Sequence, residues 1–165
     1  PATSGNAYQY KQWALEVSGV GDARVFPLDS GPGTVTVLVV DDSKGISSGL
    51  PEIVAEYIEI VRPIGATVTI ASPTGKQINV TASLILDGTK ALTEVKSAFE
   101  EALESFLDSL VFTTYTVSYA KIGGLLLDTP GVEDYSGLTI NAGTGNVAVG
   151  AKEIPVRGTT ALTEV

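Results

Sequence analysis

The chain has 165 residues, 19 Asp and Glu against 10 Lys and Arg, and a formal net charge of -9. Such an acidic balance argues against binding a nucleic-acid backbone or an anionic membrane, since both call for a cationic face. Cysteine, histidine and methionine are absent, which removes disulfides, thiolate zinc, cysteine nucleophiles, the commonest metal ligand and the usual general base near neutral pH. At this length the chain can form one domain or two small ones, burying roughly two thirds of its unfolded surface. No apolar run is long enough to span a membrane and no basic-then-apolar leader opens the chain; Pro1 in place of Met suggests an excised piece.

Taken in order, residues 7–17 place Tyr10, Trp13, Ala14 and Val17 at helical spacing and stop at Ser18-Gly19. A strand follows at 23–28, a turn at Ser30-Gly-Pro-Gly33, and a strand at 34–41 dominated by β-branched residues. After a polar loop, Pro51 and Glu52 open a helix over 50–62 whose apolar stripe is Ile53, Val54, Tyr57, Ile58 and Val61, and Arg62-Pro63 stops it. Residues 67–72 and 77–86, joined through Pro73-Thr-Gly75, read as a hairpin. The longest helix spans about 90–110, with Leu92, Val95, Phe99, Ala102, Phe106 and Leu110 down one side. A second apolar stretch, 116–128, precedes strands near 133–141, 146–152 and 159–164.

The chain also repeats itself at an offset of 112 residues. Leu15, Gly19, Val20, Asp22, Gly31, Gly33, Val35 and Val37 recur as Leu127, Gly131, Val132, Asp134, Gly143, Gly145, Val147 and Val149, eight identities in 23 positions. Matched glycines report backbone geometry, so Gly19–Val37 and Gly131–Val149 are expected to share one turn, strand, turn, strand path. The fold expected is α+β: a split β-α-β, ferredoxin-like unit flanked by two related helix-turn-strand-turn-strand segments. Residues 1–33 form the first repeat segment, 34–115 the core unit and 116–165 the second repeat segment with the C-terminal strands. Helices 50–62 and 90–110 should cover one face of a sheet built from 34–41, 67–73 and 77–87.

Motifs with chemical meaning each have a plainer reading. Gly143-Thr-Gly145-Asn-Val-Ala148 spells a dinucleotide fingerprint, but a strand pattern follows it where a helix must. Ser118-Tyr-Ala-Lys121 spells a serine-lysine dyad without its companion motifs, and Ser118 suits a helix cap. Asp41-Asp42-Ser43 lacks the rest of a calcium loop and reads as a solvated turn. Asn79-Val-Thr81 is a glycosylation sequon inside a strand. Trp13, the sole tryptophan, sits near Tyr8 and Tyr10; these three are either core residues or exposed interface anchors.

The runs GVGDARVFPLDSGPGTVTVLVVD, LPEIVAEYIEIVRPIGATVTIASP, PGVEDYSGLTIN and GNVAVGAKEIPV together resemble the baseplate J-like family of contractile phage tails and related prophage particles. The resemblance runs from about residue 13 to 157. It is most specific at Gly19-Val20, Gly31-Pro-Gly33-Thr34-Val35, Arg62-Pro63 with Gly65-Ala66, and Gly131-Val132. It implies a structural subunit of the baseplate wedge at the tail tip, in a particle assembled in the bacterial cytoplasm, whose partners are other baseplate and tail proteins and in part itself. It supplies no catalytic residue, metal, cofactor or small-molecule substrate, and it implies a longer protein with a further N-terminal region. Many contacts in a ring would leave the isolated piece a monomer or weak dimer, with Tyr8, Tyr10 and Trp13 as expected interface residues. The alternatives are a carbohydrate-binding or surface-adhesion module, for which Tyr, Trp and Asn could stack on sugars, and a hydrolase using two facing carboxylates.

Overall fold

Asn6 opens the first helix of the computed structural model, which describes residues 6–165. Its side chain accepts from the N–H of Gln9, and the Gln9 side chain accepts in return from the N–H of Asn6 at 3.3 Å, a capping box that starts α1 (Ala7–Glu16). β1 (Val20–Pro27) and β2 (Thr34–Asp41) pair antiparallel. The turn between them uses Leu28, Gly31 and Gly33 at positive φ, and Thr34 Oγ1 donates to the Gly31 carbonyl at 2.7 Å. α2 (Leu50–Val61) carries Pro51 in its first turn and ends where Arg62 turns extended ahead of Pro63. β3 (Thr67–Ala71) then pairs parallel to β2, so the first sheet reads β1-β2-β3. Tyr10, Ala14, Val54 and Ile58 from the two helices bury Ala23, Val37 and Val39 of this sheet.

The remaining elements build a second unit, the division falling at Thr74 and Gly75. β4 (Thr74–Leu86) is central, with β6 (Val132–Ile140) antiparallel on one side and β8 (Glu153–Glu164) on the other. α3 (Leu92–Leu110) and α4 (Tyr119–Asp128) supply Phe99, Leu103, Leu107, Ile122 and Leu126 to a core shared with Ile78, Val80, Leu84, Leu138 and Ile140. Each such side chain contributes ~1.5–3 kcal/mol by leaving water. A two-stranded ribbon joins β5 (Thr116–Val117) to β7 (Val147–Ala148).

The α+β class is what the chain adopts, with four helices and small mixed sheets among the described residues. The strand pairing corrects the sequence expectation. Segments 67–72 and 77–86 do not form a hairpin: β3 joins β2 and β4 joins β6 and β8. The single sheet expected from 34–41, 67–73 and 77–87 is therefore two sheets, each with its own helices, and no ferredoxin-like unit spans them. The division at Thr74 lies inside the segment 34–115 that the sequence treats as one core. The strand expected at 146–152 shrinks to Val147–Ala148, and β8 begins before 159.

The repeat is real in its first half. α1 and α4 each have ten residues and start at the same offset, capped by Asn6 on Gln9 N–H and by Ser118 on Lys121 N–H. Gly19 and Gly131 both stand at φ +96°, and Val20 and Val132 enter their strands hydrogen-bonded to the carbonyls of Val17 and Thr129 at 3.2 and 3.1 Å. Gly21 and Glu133 are then each skipped in the pairing, the same bulge, after which Asp22 Oδ1 and Asp134 Oδ1 accept from the N–H of the next residue. The second half does not repeat. Asn141 and Ala142, both left-handed, make a two-residue turn that closes Ile140 on Gly143, and β7 leaves to pair with β5. Gly143 and Gly145 are not at positive φ, unlike Gly31 and Gly33.

Candidate functional site

The capped α1 sorts its three aromatic residues by face. Tyr10 is 1% exposed and is a core residue, with its ring edge-on to Trp13 at 5.2 Å; Trp13 is half-buried against the same core. Only Tyr8, 71% exposed, stands free as an interface anchor would. The expectation for Tyr10 is corrected: position 10 shares a helical face with Ala14, and that face is the one the sheet covers. One exposed ring is a poor stacking platform for a sugar. The Tyr10 hydroxyl has no hydrogen-bond partner, and its residue lines a groove of about 380 Å³ together with Val25, Pro27, Leu28, Val35 and Ile64.

The polar groups of the first unit hold its elements together. The Arg62 guanidinium donates to the carbonyls of Pro63 and Ala66 and pairs with Glu59 at 2.8 Å, bracing the link from α2 to β3. Lys11 and Lys44 flank Asp22 at 3.6 and 3.8 Å. The Tyr57 hydroxyl donates to Glu16, tying α2 to α1, and that carboxylate holds the phenol above its ordinary pKa.

α2 carries two apolar stripes. Leu50, Val54 and Ile58 face the core, whereas Ile53 and Ile60 are 56% and 81% exposed, and Ile64, just past the helix, is fully exposed. The sequence expectation merged Ile53 with the buried stripe, because the helical spacing of these residues describes one broad arc without showing which part is covered.

The tempting motifs resolve into local structure. Ser118 Oγ accepts from the Lys121 N–H at 3.2 Å, a helix cap. Asp41 Oδ1 accepts from the N–H groups of Ser43 and Gly45 at 2.9 Å each, a closed turn. Asn79 accepts the Thr159 N–H at 2.8 Å with its side chain while the Asn141 side chain accepts the Asn79 N–H, so the sequon asparagine stitches the second sheet. No helix follows Gly143 to Ala148. Among the described residues no three acidic, His or Cys side chains gather as a metal site.

Two family models match the chain in succession: the baseplate J-like central domain over residues 2–72 and the baseplate J-like protein C-terminal domain over residues 78–163. The chain belongs to the baseplate J-like family. The boundary between the two matches encloses the division at Thr74, so each structural unit of this baseplate J-like chain answers to one family domain. The chain is 34% identical over 171 residues to the phage-like element PBSX protein XkdT of Bacillus subtilis, covering 99% of this chain and 49% of that protein. It is 28% identical over 148 residues to baseplate protein gp47 of Escherichia phage Mu, covering 82% of this chain and 40% of that one. It thus spans about half the length, or less, of these relatives. In fold it matches a chain of the anti-feeding prophage baseplate with a TM-score of 0.63 at 15% identity, over 90% of this chain and 36% of that chain.

The residues at which the sequence most specifically resembles this family serve backbone geometry. Gly19 and Gly131 turn helices into strands, Gly31 and Gly33 turn β1 into β2, and Arg62 holds the carbonyl of Ala66.

Proposed function

We propose that this chain is part of a structural subunit in the baseplate of a contractile phage tail or phage-like particle, a wedge component acting through protein-protein contacts and not through catalysis. The observation that carries this reading is the succession of the two baseplate J-like domain matches across nearly the whole chain. The fold agrees with it: polar side chains at the tempting motifs serve turns, caps and cross-strand bonds. The partners are other baseplate and tail proteins, with self-association a weaker contribution, and the site of action is the tail baseplate of a particle assembled in the bacterial cytoplasm. Tyr8 and Trp13 contribute to such contacts from α1.

The test is to tag the full-length protein, purify particles, and locate the tag by electron microscopy. Label at the baseplate supports the reading. Particles that assemble normally without the protein, or label confined to the sheath or capsid, would sink it.

A further inference from the structure

We propose that the outward stripe of α2, formed by Ile53, Tyr57 and Ile60, docks a basic amphipathic helix from a neighbouring tail protein. This deepens the baseplate reading and rests on it. Residues 53, 57 and 60 recur at i, i+4 and i+7, so their side chains line one side of the helix. Single exposed apolar residues are ordinary, but isoleucine is among the residues most often buried, and two exposed in one row with Tyr57 between them make a patch of the kind that marks an interface.

The charges around the row select the occupant. Glu52, Glu56 and Glu59 are exposed on the flank of α2 away from the core, and Glu16 of α1 is bonded to Tyr57 at the opposite flank. Arg62 is turned inward to the Pro63 and Ala66 carbonyls and neutralises Glu59 alone. An apolar row between carboxylates fits a partner with an apolar row between Lys and Arg. A second copy of this chain would set Glu52 and Glu56 against their own counterparts, and an anionic lipid surface would meet the same repulsion. The backbone groups of a helix interior are already paired, so an added strand would find no edge here, whereas a partner helix can lay its ridge along the row.

The experiment places p-benzoylphenylalanine at position 60 of the full-length protein, produced together with its neighbouring tail proteins, and sequences the photo-crosslinked peptides from purified particles. The expected product is a segment of another protein with apolar residues at i, i+4 and i+7 flanked by Lys or Arg. Its yield should fall about tenfold in the double variant Ile53→Ser, Ile60→Ser, the loss typical of interface anchors. A parallel loss is expected for Glu52→Lys with Glu56→Lys; the isoleucine double variant should keep the parent's melting temperature because both positions are exposed, while the glutamate pair should lower it slightly, since Glu52 stands in the first turn of α2 and Lys there opposes the helix dipole. Crosslinks to a second copy, to an acidic or non-helical segment, or an unchanged yield in either double variant overturn the proposal. So does the absence of crosslinks in particles that contain the protein, which leaves the baseplate reading intact; absence of the protein from the particles overturns both.

Discussion

Gly19 and Gly131 lie 112 residues apart in the chain and hold the same backbone angle, φ +96°, at the same step between a ten-residue helix and a bulged strand. The shared angle reports a backbone path that a side chain resists. Their surroundings differ. A Cβ on Gly19 would meet only Leu50 Cδ1, at 3.8 Å, whereas one on Gly131 would lie 2.7 Å from Lys90 Cβ and 3.0 Å from Val95 Cγ2.

Substituting each glycine by alanine should therefore separate backbone strain from crowding. Gly19→Ala should cost about 1–3 kcal/mol from the positive φ alone, and Gly131→Ala should cost more, since the Lys90 stem and Val95 must also shift. Urea unfolding at constant m value reads the difference. Equal costs would mean that the crowding at Gly131 relaxes freely.

Val37 and Phe99 test the two cores. Both are fully buried, Val37 among the β1-β2-β3 residues and Phe99 on α3. Val37→Asp and Phe99→Asp should each destabilise by more than about 4 kcal/mol, the range of an unpaired buried charge. Trp13, the sole tryptophan, packs in the Val37 core, so its fluorescence follows that variant; far-UV circular dichroism follows the Phe99 variant. Unchanged transitions would refute the core assignment.

Tyr57 predicts an alkaline dependence. Its pKa is raised, chiefly by the hydrogen bond to Glu16. The bond favours the protonated phenol, so its contribution is fully present below the unfolded tyrosine value of about 10 and is lost as pH rises through the higher folded value. Ultraviolet titration should show Tyr57 ionising late, and Glu16→Gln should return it toward the ordinary range.

Asp87 predicts the opposite edge. The Thr89 hydroxyl and N–H donate to Asp87 Oδ1 at 2.6 and 2.9 Å and lower its pKa. This contribution is present above the unfolded carboxyl value and disappears as pH falls through the depressed folded one. Carbon NMR of the carboxyl should find Asp87 titrating below an ordinary aspartate, and Thr89→Ala should move it up.

Helices were the most legible part of this sequence, because periodicity, Pro51, Pro63, Ser118 and the paired glycines all act within a few residues of the structure they set. Strand partners were not. Residues 67–72 and 77–86 alternate as a hairpin would, but alternation assigns faces without naming a neighbour, and β3 found β2 while β4 found β6 and β8. The same limit hid the candidate docking row: Ile53 and Ile58 are equally apolar letters, and only the packed sheet decides that Ile58 is covered and Ile53 is not.

The bulged helix-strand module enters its two sheets from opposite directions in time. In the first unit β1 is made before its partner β2, and Phe26 pairs with Thr36 only 10 residues on; in the second, β6 is made after its partner β4, and Thr139 reaches back 58 residues to Thr81. Closing the longer loop costs about 1.5 kcal/mol more chain entropy, by the logarithmic dependence on loop length. The first hairpin can therefore close as soon as its own residues leave the ribosome, while β4 must wait for α3, β5 and α4 to be synthesised before β6 can pair with it.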